Sequence, residues 1–143
     1  MISEKGRVLG IDYGSKRVGV SVSDPLRIIS QGVQTLSNDT SLIERLCTLV
    51  AEYTIVHIVV GMPYSADGGK GSKAMEVEEF IACLKKATTT PIDTWDESNS
   101  SVNAARAFID GGMKKKKRQE KSRVDTMAAR LMLQEFLDFH SRG

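Results

Sequence analysis

Long apolar runs are missing from this 143-residue chain: no stretch approaches the roughly 18 apolar residues that a membrane span requires. The opening segment, Met1 to Gly6, is short and polar and lacks the apolar core of a secretory signal. A cytoplasmic protein with no membrane partner is expected. Cysteine is scarce as well. Cys47 and Cys83 have no C-x-x-C or Cys/His companion, which argues against a thiolate metal site. Each sits among apolar residues in a helical pattern, so both are expected to be small buried hydrophobes rather than a disulfide. Internal repeats and low-complexity tracts are absent too, which excludes repeat architectures. Aromatics reach only 6%, beside 41% hydrophobic and 27% charged residues, the balance of an ordinary globular protein. A chain of this length buries one substantial core and not two, so a single domain spanning 1–143 is expected.

What is present begins with a short apolar run, Arg7 to Asp12, that ends in an acid two residues before Gly14 and reads as a strand entering a tight turn. Val18, Val20 and Val22 alternate with Gly19, Ser21 and Ser23, the period of a hairpin partner with one buried face. Asp24-Pro25 marks a turn, and Ile28 to Val33 can supply a third strand. Leu42, Ile43, Leu46, Leu49 and Val50 recur at helical spacing, predicting a helix over 41–53. The β-branched run Ile55 to Val60 has the character of a central strand covered on both faces, closed by Gly61-Met62-Pro63. A Gly-rich loop, 66–72, leads to a helix over 73–86. A short strand at 91–95, a helix over 102–109 and a long helix from about Arg123 to His140 complete the series. Three hairpin-like strands followed by alternating elements predict an α/β fold with a mixed five-stranded sheet flanked by helices.

Charge is unevenly placed. Residues 1–100 hold 10 basic and 13 acidic side chains, whereas 101–143 hold 10 basic and 5 acidic ones, an asymmetry that suggests an anionic partner for the C-terminal part. Lys114, Lys115, Lys116, Lys117 and Arg118 form its centre. Such a run is either a solvated loop or a set of phosphate contacts, which position a nucleic acid without reading its sequence. Asp12 falls at the carboxyl end of the first strand, where open sheets place their ligand crevices, with Lys16 and Arg17 close behind. It could equally be a turn residue bonded to its own backbone. Glu97 follows a strand directly and could project from its end, or serve as a first-turn helix acid with Asp96 as the cap. Asp125 stands three residues after Ser122, the spacing of a capping box at the start of the last helix, from which it could also lean over the sheet. Asp24, before Pro25, reads as a turn residue. His57 lies in a strand of buried character and reads as structural, and His140 is assigned no chemistry.

With these residues laid out, the chain resembles the YqgF/RuvX-type family of ribonuclease H-like proteins, described as pre-16S rRNA nucleases and as Holliday junction resolvases. The likeness rests on the segment Gly10 to Val20, on Val59 to Tyr64 with Asp67-Gly68, on Asp96-Glu97, and on Val124 to Ala129. It implies a ribonuclease H-like fold, with Asp12, Glu97 and Asp125 as the catalytic, metal-holding acids. It further implies a Mg²⁺ or Mn²⁺ requirement and trimming of the 5′ end of precursor 16S rRNA, with branched DNA as the alternative substrate. Lys16, Arg17 and the cluster at 114–118 would then hold flanking phosphates, in a monomer or a homodimer. Two departures stand out. The family typically carries Arg after the Asp-Glu pair, where this chain has Ser98, and classical resolvases of this superfold place an acid at the end of the fourth strand, where this chain has Gly61-Met62-Pro63. The first keeps open a non-catalytic RNA-binding assembly factor. A nucleotide-binding ATPase also opens on a strand-Asp-x-Gly hairpin, but needs two such lobes, and this length supplies one.

Overall fold

The computed structural model describes residues 6–63, 71–97 and 117–141, with 117–125 given as backbone. In chain order the elements are β1 (Arg7–Tyr13), β2 (Arg17–Ser23), β3 (Ser30–Ser37), α1 (Leu42–Glu52), β4 (Ile55–Met62), α2 (Ser72–Ala87), β5 (Ile92–Asp96) and α3 (Lys117–Ser141). The expected helix over 102–109 lies outside the described residues. The strands join into one mixed sheet in the order β3-β2-β1-β4-β5. β1 and β2 form the antiparallel hairpin that the valine alternation predicts, with Ile11 opposite Val20 and Asp12 opposite Gly19. β4 lies parallel to β1, with Val60 beside Ile11, and β5 lies parallel to β4. The β-branched run therefore fills a central position, between two neighbours, where it is buried on both faces.

Two layers of helix cover the sheet. Leu9, Ile11, Val18, Val20, Ile58 and Val60 pack with Leu42, Leu46, Phe80 and Leu84 of α1 and α2. On the opposite face, Val8 and Val59 pack with Ala128, Met132, Leu133, Phe136 and Leu137, which form one stripe of α3 at helical spacing. Full burial of each such large apolar side chain stabilises by roughly 1.5–3 kcal/mol. The α3 layer corrects the expectation that β2 has a single buried face: Gly19, Ser21 and Ser23 are buried as well. Their small size is what admits the helix. Ser21 donates from Oγ to the Ala129 carbonyl at 2.8 Å, and a Cβ at Gly10 would come within 2.9 Å of Leu133 Cβ.

Other boundaries move for identifiable reasons. β3 starts at Ser30 rather than Ile28, because the Asp24 carboxylate accepts the backbone N–H groups of Leu26, Ile28 and Ile29 and holds those residues in a turn. Arg27 adopts φ 58° within it, and Ile28 and Ile29 are exposed. Burial pushes the Asp24 carboxyl up, yet the hydrogen bonds from Ile29, Ile28 and Leu26 outweigh it and hold the group below its ordinary range. Asp24 is thus the turn residue its sequence position suggests. α3 begins at Lys117, six residues before the expected start, so Ser122 and Asp125 lie inside the helix rather than at its start. Cys47 and Cys83 are free thiols, as expected, but are half-buried and exposed respectively, because the helices turn their apolar stripes elsewhere. Among the described residues, no helix is long and apolar enough to cross a membrane.

Candidate functional site

Strand alternation decides which side chains meet at the carboxyl ends of β1, β4 and β5. Leu9 and Ile11 face α1 and α2, so Val8, Gly10 and Asp12 face α3. On β4, Ile58, Val60 and Met62 face the first side and Val59 and Gly61 the second. Trp95 of β5 packs in the α3 layer, and Glu97, two residues on, continues that row. Parallel pairing sets Ile11 beside Val60 and Gly61 beside Trp95, which brings Asp12, Gly61 and Glu97 to one end of one face.

Asp12 and Glu97 are each only 4% exposed. Asp12 is a paired strand residue, opposite Gly19. Glu97 follows β5 immediately, its N–H donating to the Met62 carbonyl at 3.2 Å, and Asp96 is the last residue of the strand. Both carboxylates line a cleft of about 330 Å³, together with Gly14, Lys16, Arg17, Pro63, Lys73 and Glu76. Taking a carboxylate out of water costs several kcal/mol unless cations or hydrogen-bond donors replace the hydration. Three basic side chains around the same cleft supply positive potential where these acids are buried. Lys16 is carried on the β1–β2 turn, and that turn is pinned by Asn38, whose Nδ2 donates to the Gly14 carbonyl at 2.8 Å and whose N–H donates to the Lys16 carbonyl at 3.0 Å.

Position 125 lies on α3, three and four residues before Ala128 and Ala129, both buried against the sheet. Thr126 next to it bonds Thr35 hydroxyl to hydroxyl at 2.7 Å, and Thr35 pairs with Gly19, which pairs with Asp12. That end of the helix is thereby tied to the same cross-strand row as Asp12. Lys114, Lys115 and Lys116 lie outside the described residues, as does Ser98, and Lys117 and Arg118 form the first turn of α3. His57 is structural, as expected. It is buried near the start of β4, stacked 5.9 Å from the Phe136 ring, with Nε2 2.9 Å from the Asp93 carboxylate. Burial pushes its pKa below the ordinary 6.5, and Asp93 offsets this only in part. His140 sits against Phe136 and Phe139, away from the cleft.

The sequence model of the RuvX family, described as Holliday junction resolvase, matches residues 6–139. The chain belongs to the RuvX family. Relatives in Halothermothrix orenii and Koribacter versatilis are 36% and 40% identical, over 95% and 93% of this chain and 97% and 87% of those proteins. Both carry the name "Putative pre-16S rRNA nuclease". Among solved structures, Thermus thermophilus RuvC in complex with a Holliday junction substrate superimposes with a TM-score of 0.59 at 14% identity, covering 95% of this chain and 96% of that one. The yeast mitochondrial Holliday junction resolvase gives 0.59 at 15%, covering 99% and 82%. These likenesses establish the ribonuclease H-like fold.

Within this RuvX chain, sequence reasoning missed Lys73 and Asn38. Lys73 is the second residue of α2, and its value depends on that helix starting beside the end of β1, which no local pattern reveals. Asn38 acts through a turn 22 residues away in the chain.

Proposed function

We propose that this RuvX chain is a single-domain, metal-dependent nuclease that hydrolyses phosphodiester bonds, with precursor 16S rRNA as its substrate and Asp12, Glu97 and Asp125 as the acids of the site. The observation that carries this reading is the cleft itself: two buried carboxylates, from the ends of β1 and β5 on either side of β4, open into one space ringed by Lys16, Arg17 and Lys73. The donor set fits Mg²⁺ or Mn²⁺, which are hard cations held by carboxylate oxygens together with substrate phosphate. The two carboxylates, joined by Asp125 from α3, would hold such an ion, which when bound supplies an activated water and stabilises charge at a scissile phosphodiester. Lys16, Arg17 and Lys73 then bind the phosphates flanking the cut, helped by Lys114, Lys115, Lys116, Lys117 and Arg118. Such contacts orient a strand and confer no base preference; the name that the relatives carry is what supports precursor 16S rRNA as the substrate. The compartment follows from that substrate, the cytoplasm in which ribosomes assemble.

The test sets three labelled substrates side by side, a single-stranded RNA spanning a precursor 16S 5′ end, a four-way DNA junction and a linear duplex, each with Mn²⁺ or with chelator. Metal-dependent cutting of the RNA alone is expected, and Asp12→Asn should reduce it at least 100-fold while the RNA is still bound, in line with the loss of one charge-stabilising group. Paired symmetric nicks in the junction would instead assign a resolvase acting as a dimer. Binding of RNA without cleavage in either metal would make the chain a non-catalytic assembly factor, and undiminished cleavage by Asp12→Asn would remove Asp12 from the site.

A further inference from the structure

β4 ends, on the face toward α3, in a residue without a side chain. Gly61 stands beside Trp95 in the β4–β5 ladder and next to the row that holds Asp12. Its backbone is not in the left-handed region that favours glycine, so conformational freedom does not account for the residue. Space does. A Cβ at position 61 would lie 2.5 Å from Oε2 of Glu97, 2.8 Å from its Cδ and 3.2 Å from Oε1. The entire carboxylate group therefore rests on the bare Cα of Gly61. The Glu97 backbone is anchored to the Met62 carbonyl, and from there its side chain folds back across the end of β4 into the cleft shared with Asp12.

We propose that Gly61 is a positioning residue whose missing side chain keeps open the seat of the Glu97 carboxylate beside Asp12. The inference rests on the assignment of Glu97 to a metal-holding site made above. A methyl group at 61 would push the carboxylate outward by about 1 Å to reach ordinary van der Waals separation. Metal–ligand distances hold within about 0.2 Å of their standard values, so a carboxylate moved by about 1 Å would no longer share an ion with Asp12 at a normal bond length. The obstacle is the far end of a flexible side chain rather than backbone, so the fold accommodates the substitution while the site does not.

The experiment is a titration of Mn²⁺ into the full-length protein by calorimetry, with thermal unfolding recorded alongside. Gly61→Ala should weaken Mn²⁺ binding at least tenfold and leave the unfolding temperature within a few degrees of the parent. In a Glu97→Gln background the same change should add nothing, because the group it displaces no longer contributes a charge. Glu97→Asp, one methylene shorter, should recover part of the affinity lost to Gly61→Ala. Parent-like Mn²⁺ binding by Gly61→Ala, or an equal further loss in the Glu97→Gln background, would overturn the role. If Gly61→Ala alone fails to fold, the pair Gly61→Ala and Glu97→Ala should fold again, since nothing is left to collide, and continued failure would refute the seat. Unchanged Mn²⁺ binding in Glu97→Gln by itself would overturn the metal-site assignment on which the role rests, whereas weakened binding in Glu97→Gln with parent-like binding in Gly61→Ala would overturn the seat alone.

Discussion

Gly10→Ala tests how closely α3 lies on the sheet that carries the site. The added Cβ would meet Ser21 Oγ at 2.5 Å, Leu133 Cβ at 2.9 Å and Leu133 Cδ2 at 3.3 Å. Rotation of Leu133 relieves only the last contact, because its Cβ is fixed to the helix backbone. Either α3 retreats by about 0.5–1 Å or the hairpin deforms, and overpacking of this kind costs about 1–3 kcal/mol. The retreat would also stretch the Ser21 to Ala129 hydrogen bond, worth about 1 kcal/mol. For a chain of this length the unfolding temperature should fall by about 3–10 °C. The assay is urea unfolding followed by circular dichroism and by fluorescence of the single tryptophan. Trp95 is a local reporter, being edge-on to Phe136 at 5.9 Å and to Phe139 at 5.4 Å, both on α3. Its emission should shift in the folded variant as the helix moves. A stability within 0.5 kcal/mol of the parent by approximate error, together with an unshifted spectrum, would refute the close approach of α3 to β1.

Two further outcomes are expected. His57 has a folded pKa below its ordinary 6.5, so the unfolded chain takes up its proton first, and the stability associated with the neutral imidazole is full above 6.5 and lost as pH falls from there through the folded value. Asp93→Asn removes the partner that raises that pKa, so NMR titration of His57 should show it lower still and acid unfolding should begin at a higher pH. Lys16→Ala and Arg17→Ala should each weaken RNA binding and reduce the slope of log affinity against log salt by about 0.7 for a single-stranded substrate, measured by fluorescence anisotropy. An unchanged slope would place that side chain off the phosphate path.

Much of the fold was legible because it is written in local periodicity. Valines 18, 20 and 22 declared β2, the run Ile55 to Val60 declared a strand covered on both faces, and the spacing of Leu42, Leu46 and Leu49 declared α1. The start of β3 was not legible, since Ile28 and Ile29 have strand-like character and only the hydrogen bonds to Asp24 keep them out of the ladder. The start of α3 was missed for the opposite reason: Lys117 to Arg123 carry no apolar stripe to announce a helix. Cys47 and Cys83 looked buried because their neighbours are apolar, although helical rotation left Cys47 half-buried and Cys83 exposed.

The candidate site divides along the same line. Strand ends are visible in sequence, and an acid at a strand end of an open sheet is a chemical proposition before any coordinates exist, which is why Asp12 and Glu97 could be named. That they share one cleft depends on parallel pairing of β1, β4 and β5, elements separated by whole helices, and no local pattern encodes such pairing. The sequence by itself determined the elements and the acids, because backbone period and side-chain chemistry are local properties. Only the tertiary structure decided that Lys73 joins the cleft, that Asn38 braces the turn bearing Lys16, and that a glycine at 61 makes room for the carboxylate at 97, because each of these is a contact between residues distant in the chain.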